Sequence, residues 1–327
     1  MSKFVRPPEA AGEYQFFDET PPAADIVAEV MAGLTRGTKS ISPKYFYDAT
    51  GAELFEAITR LPEYYLTRTE LGLFDQHLSE IAENLSADLC VIEYGSGSSL
   101  KIRRVLETLM PKAYVPVDIS SEHLQSNAIA LHADFPGLDV YPVCADITRE
   151  FSLPPQVKQL TPVAFYPGSS IGNFEPETAV AFLRSVHRTI GPGGYLLLGV
   201  DRKKDPAVLE SAYDDASGVT AAFNLNILKH LNETLQADFN LDLFKHVARY
   251  NAQAGCIQMF LQSRVTQTIT LPDRKLKLMD GELIHTENSY KYHPEEFTAL
   301  AAQADFLAQA HYTDANDWFS FFVLSAQ

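Results

Sequence analysis

The sequence predicts an α/β fold with a parallel sheet, and three observations support this fold class. Between about residues 67 and 200, short apolar runs alternate with segments whose apolar residues recur at helical spacing. The first of these runs, residues 89–94, passes through a glycine-containing turn into a helix. Polar residues follow several of the runs, where the strands end. This alternation is typical of right-handed βαβ crossovers, in which ligands bind across the carboxyl ends of the strands.

The chain before this region has two predicted parts. Residues 1–25 carry four prolines among polar residues and are predicted to be irregular, although a helix can begin at Ala24 and run to Leu34. A longer helix is predicted from Thr67, because Thr67 and Glu70 have the spacing of a capping box. Its apolar stripe consists of Leu71, Phe74, Leu78, Ile81 and Leu85.

The first strand of the alternating region, residues 89–94, is apolar except for Glu93, as expected of a strand buried on both faces. Gly95 and Gly97 follow it, and glycine permits backbone angles and close approaches that a Cβ forbids. A helix is predicted next, with Ser98 or Ser99 as its N-cap. Strand, glycine turn and helix together indicate the first unit of a nucleotide-binding domain.

A glycine turn alone is weak evidence, because a tight turn with no ligand has the same appearance. Two details favour a ligand. Glu93 precedes Gly95, and Leu100 occupies the position where a dinucleotide-binding motif has its third glycine. Lys101 follows directly. An acidic residue before Gly-x-Gly, without the third glycine, is more typical of S-adenosylmethionine (SAM) binding than of NAD binding.

The other strands of this region also end at polar residues. Asp118 lies 23 residues beyond Gly95, about where such folds bind a ribose hydroxyl pair, although an Asp at a helix start is the alternative. Asp146 and Asn173 follow later strands. Gly95, Asp118, Asp146 and Asn173 are therefore predicted at one sheet edge. The strands are predicted at 113–117, 140–145, 163–166 and 195–200.

Beyond residue 204 the pattern changes to a long helical stretch followed by strands with hairpin-type turns, which predicts a separate unit over the sheet edge. A helix over 293–310 and a strand over 318–324 are predicted to return the chain to the first sheet. The predicted strands of the separate unit are 246–250, 256–265, 275–278 and 284–292.

Composition narrows the function. The 327 residues carry a formal net charge of −16, which disfavours nucleic acid and anionic membranes as partners. Three cysteines without a CxxC pair or Cys/His cluster support neither a disulfide framework nor a metal site. No apolar run is long enough to span a bilayer, and no signal-peptide core is present. We expect a monomeric cytoplasmic protein with a small-molecule substrate.

The sequence resembles the histidine-specific α-N-methyltransferases of ergothioneine biosynthesis over nearly its whole length. This resemblance implies a Rossmann-like class I methyltransferase domain, residues 67–203 plus 292–327, and a smaller α+β substrate-binding cap domain, residues 26–66 plus 204–291. It also implies three methyl transfers from SAM to the α-amino group of L-histidine, giving hercynine. The motifs that carry the resemblance lie at 42–70, 93–103, 167–174, 212–224 and 285–292.

The resemblance also implies site residues. Tyr64 and Asn173 are the implied catalytic residues and also bind the substrate, and no metal is implied. Ile147 departs from the family, which often has an aromatic residue beside the adenine. Glu287 and Ser289 lie two apart on a predicted strand and point to one face, where they can bind both imidazole nitrogens. The implied cofactor contacts are Gly95, Lys101, Asp118, Asp146 and Ile147, and the implied histidine contacts are Tyr64, Asn173, Tyr213, Met259, Glu287 and Ser289.

Three alternatives remain at this stage. A methyltransferase for another free amino acid, for example tryptophan, would keep the cofactor residues and differ at Glu287 or Met259. A nucleic-acid base methyltransferase is disfavoured by the charge and by the absence of an Asn-Pro-Pro-Tyr type motif. A SAM-sensing or scaffold protein would bind the cofactor without turnover.

Overall fold

The computed structural model describes residues 12–20, 26–86, 88–97, 99–272 and 274–327, and it has strands and helices in alternation. The strands are β1 (Phe17–Asp18), β2 (Lys39–Ser40), β3 (Leu89–Tyr94), β4 (Ala113–Asp118), β5 (Asp139–Val140), β6 (Val143–Cys144), β7 (Thr161–Tyr166), β8 (Tyr195–Asp201), β9 (Phe244–Asn251), β10 (Cys256–Ser263), β11 (Gln267–Leu271), β12 (Arg274–Leu278), β13 (Leu283–Tyr290), β14 (Phe306–Thr313) and β15 (Phe319–Ala326). The helices are α1 (Ile26–Leu34), α2 (Ala49–Ile58), α3 (Leu66–Asn84), α4 (Ser99–Leu109), α5 (Ser121–Asp134), α6 (Pro176–Ile190), α7 (Pro206–Tyr213), α8 (Val219–Leu235) and α9 (Pro294–Ala302).

The main sheet has the predicted Rossmann-like α/β architecture. Its strand order is β1-β6-β4-β3-β7-β8-β15-β14, with β5 also paired to β4. The strands from β1 to β8 pair in parallel, while β15 runs antiparallel to both β8 and β14. Alternate side chains of β3 enter two separate hydrophobic clusters, Val91 one and Ile92 the other. The central strand is therefore buried on both faces, as its largely apolar run predicts.

A second sheet, ordered β2-β13-β10-β9, is formed mainly by the chain that follows β8, with β2 contributed from near the N-terminus. Helices α2 and α8 pack against each other beside it, and β11 and β12 form a separate antiparallel hairpin. The division of the chain into a methyltransferase domain and a substrate-binding cap domain stays a prediction. Within the described residues, no helix is long and apolar enough to cross a membrane.

The 3-10 turn Ser170–Asn173 contacts both β8 of the main sheet and β13 of the second sheet. A Cβ on Gly172 would lie only 2.6 Å from the carbonyl oxygen of Tyr290. Only glycine therefore fits this position without moving the backbone of one sheet away from the other. The same turn carries Asn173, so this contact sets the position of the Asn173 side chain relative to the second sheet.

Several expected elements differ in the structure. Within residues 12–20, predicted to be irregular, Phe17–Asp18 forms an edge strand because the Phe17 and Glu19 amides donate to the carbonyls of Pro142 and Cys144. The predicted strand 140–145 is two short strands, since Pro142 has no N–H to donate. The predicted capping box is wrong: α3 begins at Leu66, and the side chain of its N-cap residue, Tyr65, makes no capping hydrogen bond.

The C-terminal prediction is also partly wrong. The helix expected over 293–310 ends at Ala302, and Asp305 takes a left-handed φ of +59° that turns the chain into β14. The alternating burial along β14 is a strand pattern that pairing with β15 stabilises. Strand β11 was not predicted, and the helical stretch after residue 204 is divided into α7 and α8. Ala24 and the possible N-cap Ser98 lie outside the described residues.

Gly172→Ala tests the close approach of the sheets. We expect it to destabilise the protein by about 1–3 kcal/mol, because a Cβ would press on the Tyr290 backbone. Gly72→Ala is the matched control: it lies inside α3, where a Cβ meets nothing within 4 Å, and should stabilise by about 0.5–1 kcal/mol. Urea unfolding of both variants measures the difference. Equal stability of the two variants would contradict the steric argument.

Candidate active site

A pocket lies where the carboxyl edge of the main sheet meets the second sheet. The space inside it, open mouth included, is about 530 Å³. The lining side chains come from four parts of the chain, within residues 47–64, 168–173, 212–223 and 259–289. The pocket is thus built from segments far apart in sequence that the two sheets bring together.

The turn after β3 lies beside this pocket at the same sheet edge. Gly95 has a left-handed φ of +77°, and its amide donates to the carbonyl of Val117 at 2.9 Å. A Cβ on Gly95 would make an ordinary 4.0 Å contact with Cδ1 of Ile147, so the backbone angle, not space, requires glycine here. Below the turn, the buried Glu93 accepts a hydrogen bond from the Tyr114 hydroxyl, so that carboxylate supports the turn from within the sheet.

Two carboxylates follow the neighbouring strands. Asp118 ends β4 and accepts a hydrogen bond from the Ser120 amide at 2.9 Å, while burial raises the pKa of its carboxyl. Asp146 follows β6 and accepts from both the amide and the hydroxyl of Thr148. Ile147 packs, partly buried, next to Asp146. The structure therefore places Gly95, Asp118, Asp146 and Ile147 along one edge of the sheet.

Lys101 connects this edge to the pocket. Its ammonium lies 2.6 Å from a carboxylate oxygen of Glu70, which is completely buried in α3. Both Glu70 oxygens also accept from the amide of Gly168, 98 residues further along the chain. Lys101 and the loop after β7 are thereby fixed relative to each other. Glu70, expected in a capping box, acts instead as the buried anchor of the loop that carries Asn173.

The pocket wall nearest that loop has two buried tyrosines. The rings of Tyr64 and Tyr213 meet edge to face with centroids 6.2 Å apart. Burial, reinforced by nearby acidic groups, raises the pKa of both phenols well above the usual value. Both hydroxyls therefore stay protonated at physiological pH and can donate hydrogen bonds. Asn173 lines the same space from the end of its turn.

The opposite wall comes from the second sheet. Glu287 and Ser289 lie on β13 and both line the pocket, as their spacing predicts. Met259 on β10 pairs with Glu287 across the sheet and is also buried. Burial raises the pKa of the Glu287 carboxyl to about 7, with the positive charge of Lys291 opposing that rise. Ser289 lies 2.8 Å from the hydroxyl of Tyr213, so the two walls meet through these side chains.

Some lining residues were not predicted as site residues. Tyr47 and Phe55 come from an aromatic-rich segment, residues 45–65. Phe46 of the same segment is buried and stacks on Phe223, whereas Phe55 packs partly buried against the core and also lines the pocket. Tyr47 is half exposed, at 51%. The aromatic density was the available signal, but which rings face a pocket depends on how α2 packs on α8.

Comparison with known proteins identifies the family. A family model described as "Histidine-specific methyltransferase, SAM-dependent" matches residues 26–326. The chain belongs to this family of histidine-specific, SAM-dependent methyltransferases. The resemblance inferred from the sequence motifs is thereby confirmed, and so is the expectation of an enzyme of this class.

Curated relatives agree with this assignment. The methyltransferase is 41% identical over 301 residues to "Histidine N-alpha-methyltransferase" of Mycolicibacterium smegmatis, covering 89% of this chain and 92% of that one. It is 38% identical over 282 residues to the protein of the same name from Mycobacterium tuberculosis, covering 84% and 87%. It is 31% identical over 303 residues to "Ergothioneine biosynthesis protein 1" of Neurospora crassa, covering 86% of this chain and 33% of that longer protein.

Asp118→Ala tests the sheet edge of this methyltransferase as its cofactor site. We expect SAM affinity to fall at least about tenfold, because a charge-assisted hydrogen bond contributes about 1.5–3 kcal/mol. Calorimetric titration with SAM measures the change. Asp134→Ala is the control: it removes an exposed carboxylate that pairs with Arg103 near the end of α5, and should leave SAM affinity unchanged. If the folded Asp118→Ala protein bound SAM with unchanged affinity, Asp118 would have only a structural role, as the acceptor of the Ser120 amide in the turn after β4.

Proposed function

We propose that the protein transfers methyl groups from SAM to the α-amino nitrogen of L-histidine, three times in succession, to give hercynine. The observation that carries the proposal is the pairing of Glu287 and Ser289 on one wall of a pocket whose other wall adjoins the SAM-type sheet edge. A carboxylate and a hydroxyl two residues apart suit the two nitrogens of an imidazole ring. Family membership and the printed names of the relatives support the same substrate.

For the cofactor, we propose that Asp118 binds the ribose hydroxyls and that Asp146 and Ile147 bind the adenine. Gly95 allows the backbone to pass close to the ligand, and Lys101 is available for the cofactor carboxylate. These residue types fit SAM, which has a diol, a purine and a carboxylate. When bound, SAM supplies an electrophilic methyl group on a sulfonium centre. Among the described residues no cluster of three His, Cys, Asp or Glu side chains suited to a metal is found.

For the histidine ring, we propose that Glu287 accepts a hydrogen bond from one imidazole N–H while Ser289 binds the other nitrogen. Met259 gives the ring an apolar contact beside Glu287. A site built in this way discriminates against an apolar ring, because its buried polar groups would be left unpaired. Specificity for histidine therefore rests on β13, away from the cofactor edge.

For the amino-acid end of the substrate, we propose that Tyr64, Asn173 and Tyr213 orient the carboxylate and amine. Neutral hydroxyl and amide groups do this without adding a negative charge that would compete for the sulfonium. An α-amino group has a pKa of about 8 at a chain terminus, so a neutral fraction exists near neutral pH without a strong base. Correct positioning of an amine lone pair contributes on the order of 7–11 kcal/mol in ideal cases. Tyr64 and Asn173 are thus proposed to act by orientation.

The relatives named for ergothioneine biosynthesis support a place for this reaction at the start of that pathway. The expectation of a monomeric, cytoplasmic enzyme stays a prediction.

Methylation should run to completion. Among the described residues that line the pocket, Glu287 is the one carboxylate, and it is assigned to the ring, so no anion selects a fully protonated ammonium. Mono- and dimethylhistidine should therefore react at least as well as histidine. Mass spectrometry of histidine incubated with the protein and excess SAM measures the products. Arrest at the monomethyl stage would show that the trimethylation proposal is wrong.

The same assay separates the alternatives. A panel of free amino acids with tryptophan included should give turnover with histidine and little with the others. Turnover of tryptophan in preference to histidine would replace the substrate assignment but keep the methyltransferase. SAM binding in calorimetry without turnover of any amino acid would instead favour a sensing role.

Glu287→Gln tests the ring assignment through its pH dependence. The carboxylate accepts a charge-assisted hydrogen bond, which is stronger than the bond that the carbonyl oxygen of the protonated acid accepts. Histidine binding should therefore improve as pH rises through the Glu287 pKa of about 7. Glutamine does not titrate. The ionisations of free histidine affect both proteins equally, so they cancel in the ratio of the wild-type kcat/KM to the Glu287→Gln kcat/KM. This ratio should rise with pH and reach a plateau of roughly tenfold or more above neutral pH. A ratio that stays flat between pH 6 and 9 would contradict the assignment.

A further inference from the structure

Lys291 is a buried lysine that sequence motifs did not assign, and it lies directly behind the pocket. Its side chain is 0% exposed. Its ammonium contacts three acceptors: Asp201 at 2.8 Å, the Tyr213 hydroxyl at 2.9 Å and the Ser289 hydroxyl at 2.8 Å. An ammonium has three N–H donors and no acceptor, so each donor of Lys291 has one partner. Two of those partners line the pocket.

Asp201 supplies the counter-charge. This carboxylate, also 0% exposed, accepts from Lys204 at 2.6 Å and from the Tyr65 hydroxyl at 2.9 Å. Burial alone would raise the pKa of Asp201, but the ammonium groups of Lys291 and Lys204 outweigh it and lower that pKa. One buried carboxylate thus pairs with two lysines, and only Lys291 reaches the pocket hydroxyls.

The three contacts of Lys291 constrain the protons of those hydroxyls. Because Lys291 donates to both, the oxygens of Tyr213 and Ser289 each already accept one hydrogen bond. Each hydroxyl keeps one proton of its own. The arrangement therefore favours both groups as donors toward a ligand, or one donating to the other across their 2.8 Å contact. A carboxylate and an unprotonated ring nitrogen are the ligand groups that accept from such donors.

We propose that Lys291 is a positioning residue for substrate specificity, which holds Tyr213 and Ser289 as hydrogen-bond donors so that the pocket selects the neutral imidazole tautomer with its bare nitrogen toward Ser289. This inference rests on the proposed function. In it, Glu287 accepts from the ring N–H, Ser289 donates to the other nitrogen, and Tyr213 donates toward the substrate carboxylate. Lys291 touches none of the reacting atoms and acts through the two hydroxyls.

Lys291 also acts on Glu287 through its charge. The titratable groups around Glu287 are the phenols of Tyr47, Tyr64 and Tyr213, which stay neutral, and the Lys291 ammonium. Burial raises the pKa of Glu287 and Lys291 lowers it. Loss of the Lys291 charge should therefore raise the pKa of Glu287 further. A lysine with a merely structural role would not move that titration.

The experiment compares Lys291→Met with Lys204→Met. Both variants remove a buried ammonium from Asp201 and keep an unbranched side chain of similar length, but only Lys291 contacts Tyr213 and Ser289. Each substitution is made with Glu287 intact and with Glu287→Gln. The measurements are kcat and KM for histidine across pH 6 to 9, SAM affinity by calorimetry, and thermal unfolding.

For Lys291→Met we expect kcat/KM for histidine to fall by roughly tenfold or more, mainly through KM, because two charge-assisted hydrogen bonds that orient pocket hydroxyls are lost. The ratio of kcat/KM with Glu287 to kcat/KM with Glu287→Gln rises with pH. In the Lys291→Met background, the midpoint of that rise should move up by roughly one pH unit. SAM affinity should not change. Lys204→Met should keep the wild-type midpoint.

Failure of this inference is distinguishable from failure of the proposed function. If the wild type does not methylate histidine, the proposed function is wrong whatever the variants do. If the wild type methylates histidine but Lys291→Met keeps its KM and midpoint, or Lys204→Met shifts the midpoint equally, only the inference is wrong.

A measurement on the wild type covers the case in which Lys291→Met does not fold. Buried lysine ammonium groups are observable by ¹⁵N-resolved NMR, and Lys204→Met identifies the Lys204 signal. Histidine added to the complex with S-adenosylhomocysteine should shift the Lys291 signal more than that of Lys204. An unchanged Lys291 signal in a sample saturated with histidine would overturn the proposal.

Discussion

Two buried carboxylates, Glu70 and Asp201, hold together the loop on which the site is built. Neither has access to solvent, and a buried charge without partners is strongly destabilising. Glu70 pairs with Lys101 and both of its oxygens accept from the Gly168 amide. The backbone amide of Asp201 donates to the Ser169 hydroxyl at 2.8 Å. The loop after β7 is therefore attached to α3 on one side and to the end of β8 on the other.

The need of buried charges for partners also joins this loop to the second sheet. Asp201 reaches Lys291, just beyond β13, and the carbonyl of Asp201 accepts from the Tyr292 amide. Gly172 lets the turn approach the Tyr290 backbone without a clash. The cofactor edge, the loop and the pocket wall thus form one connected set of contacts. A displacement of any one of these parts would leave a buried charge without its partner.

This arrangement explains how neutral and ionisable groups can be held at different ends of a pocket between two sheets. Tyr64 and Tyr213 are kept neutral by burial, while Glu287 has a pKa near the physiological range. The groups proposed near the methyl transfer are thus uncharged, and the ionisable carboxylate is proposed to lie at the ring end of the substrate. Separating orientation from charge in this way suits a reaction whose methyl donor is a cation and whose acceptor must be a neutral amine.

The sequence by itself determined the parallel strands β3, β4, β7 and β8, the glycine turn and the order in which polar residues meet the sheet edge, because these follow from short-range periodicity and from motifs a few residues long. It also determined the family, since long motifs at 42–70 and 212–224 carry that information. It misassigned 303–310 as helix, because Asp305 turns the chain and pairing with β15 outweighs local helical propensity.

Only the tertiary structure decided which charged groups pair. Glu70 has the right spacing for a capping box with Thr67, yet its partners lie 31 and 98 residues away. Asp201 lies outside the sequence motifs, Lys291 lies in the motif 285–292 without a predicted role, and 90 residues separate the two. Such pairs depend on distances between elements that lie far apart in the chain, and burial then sets their charge states. Periodicity along the chain contains neither quantity, because both arise only when the helices, loops and sheets have packed against one another.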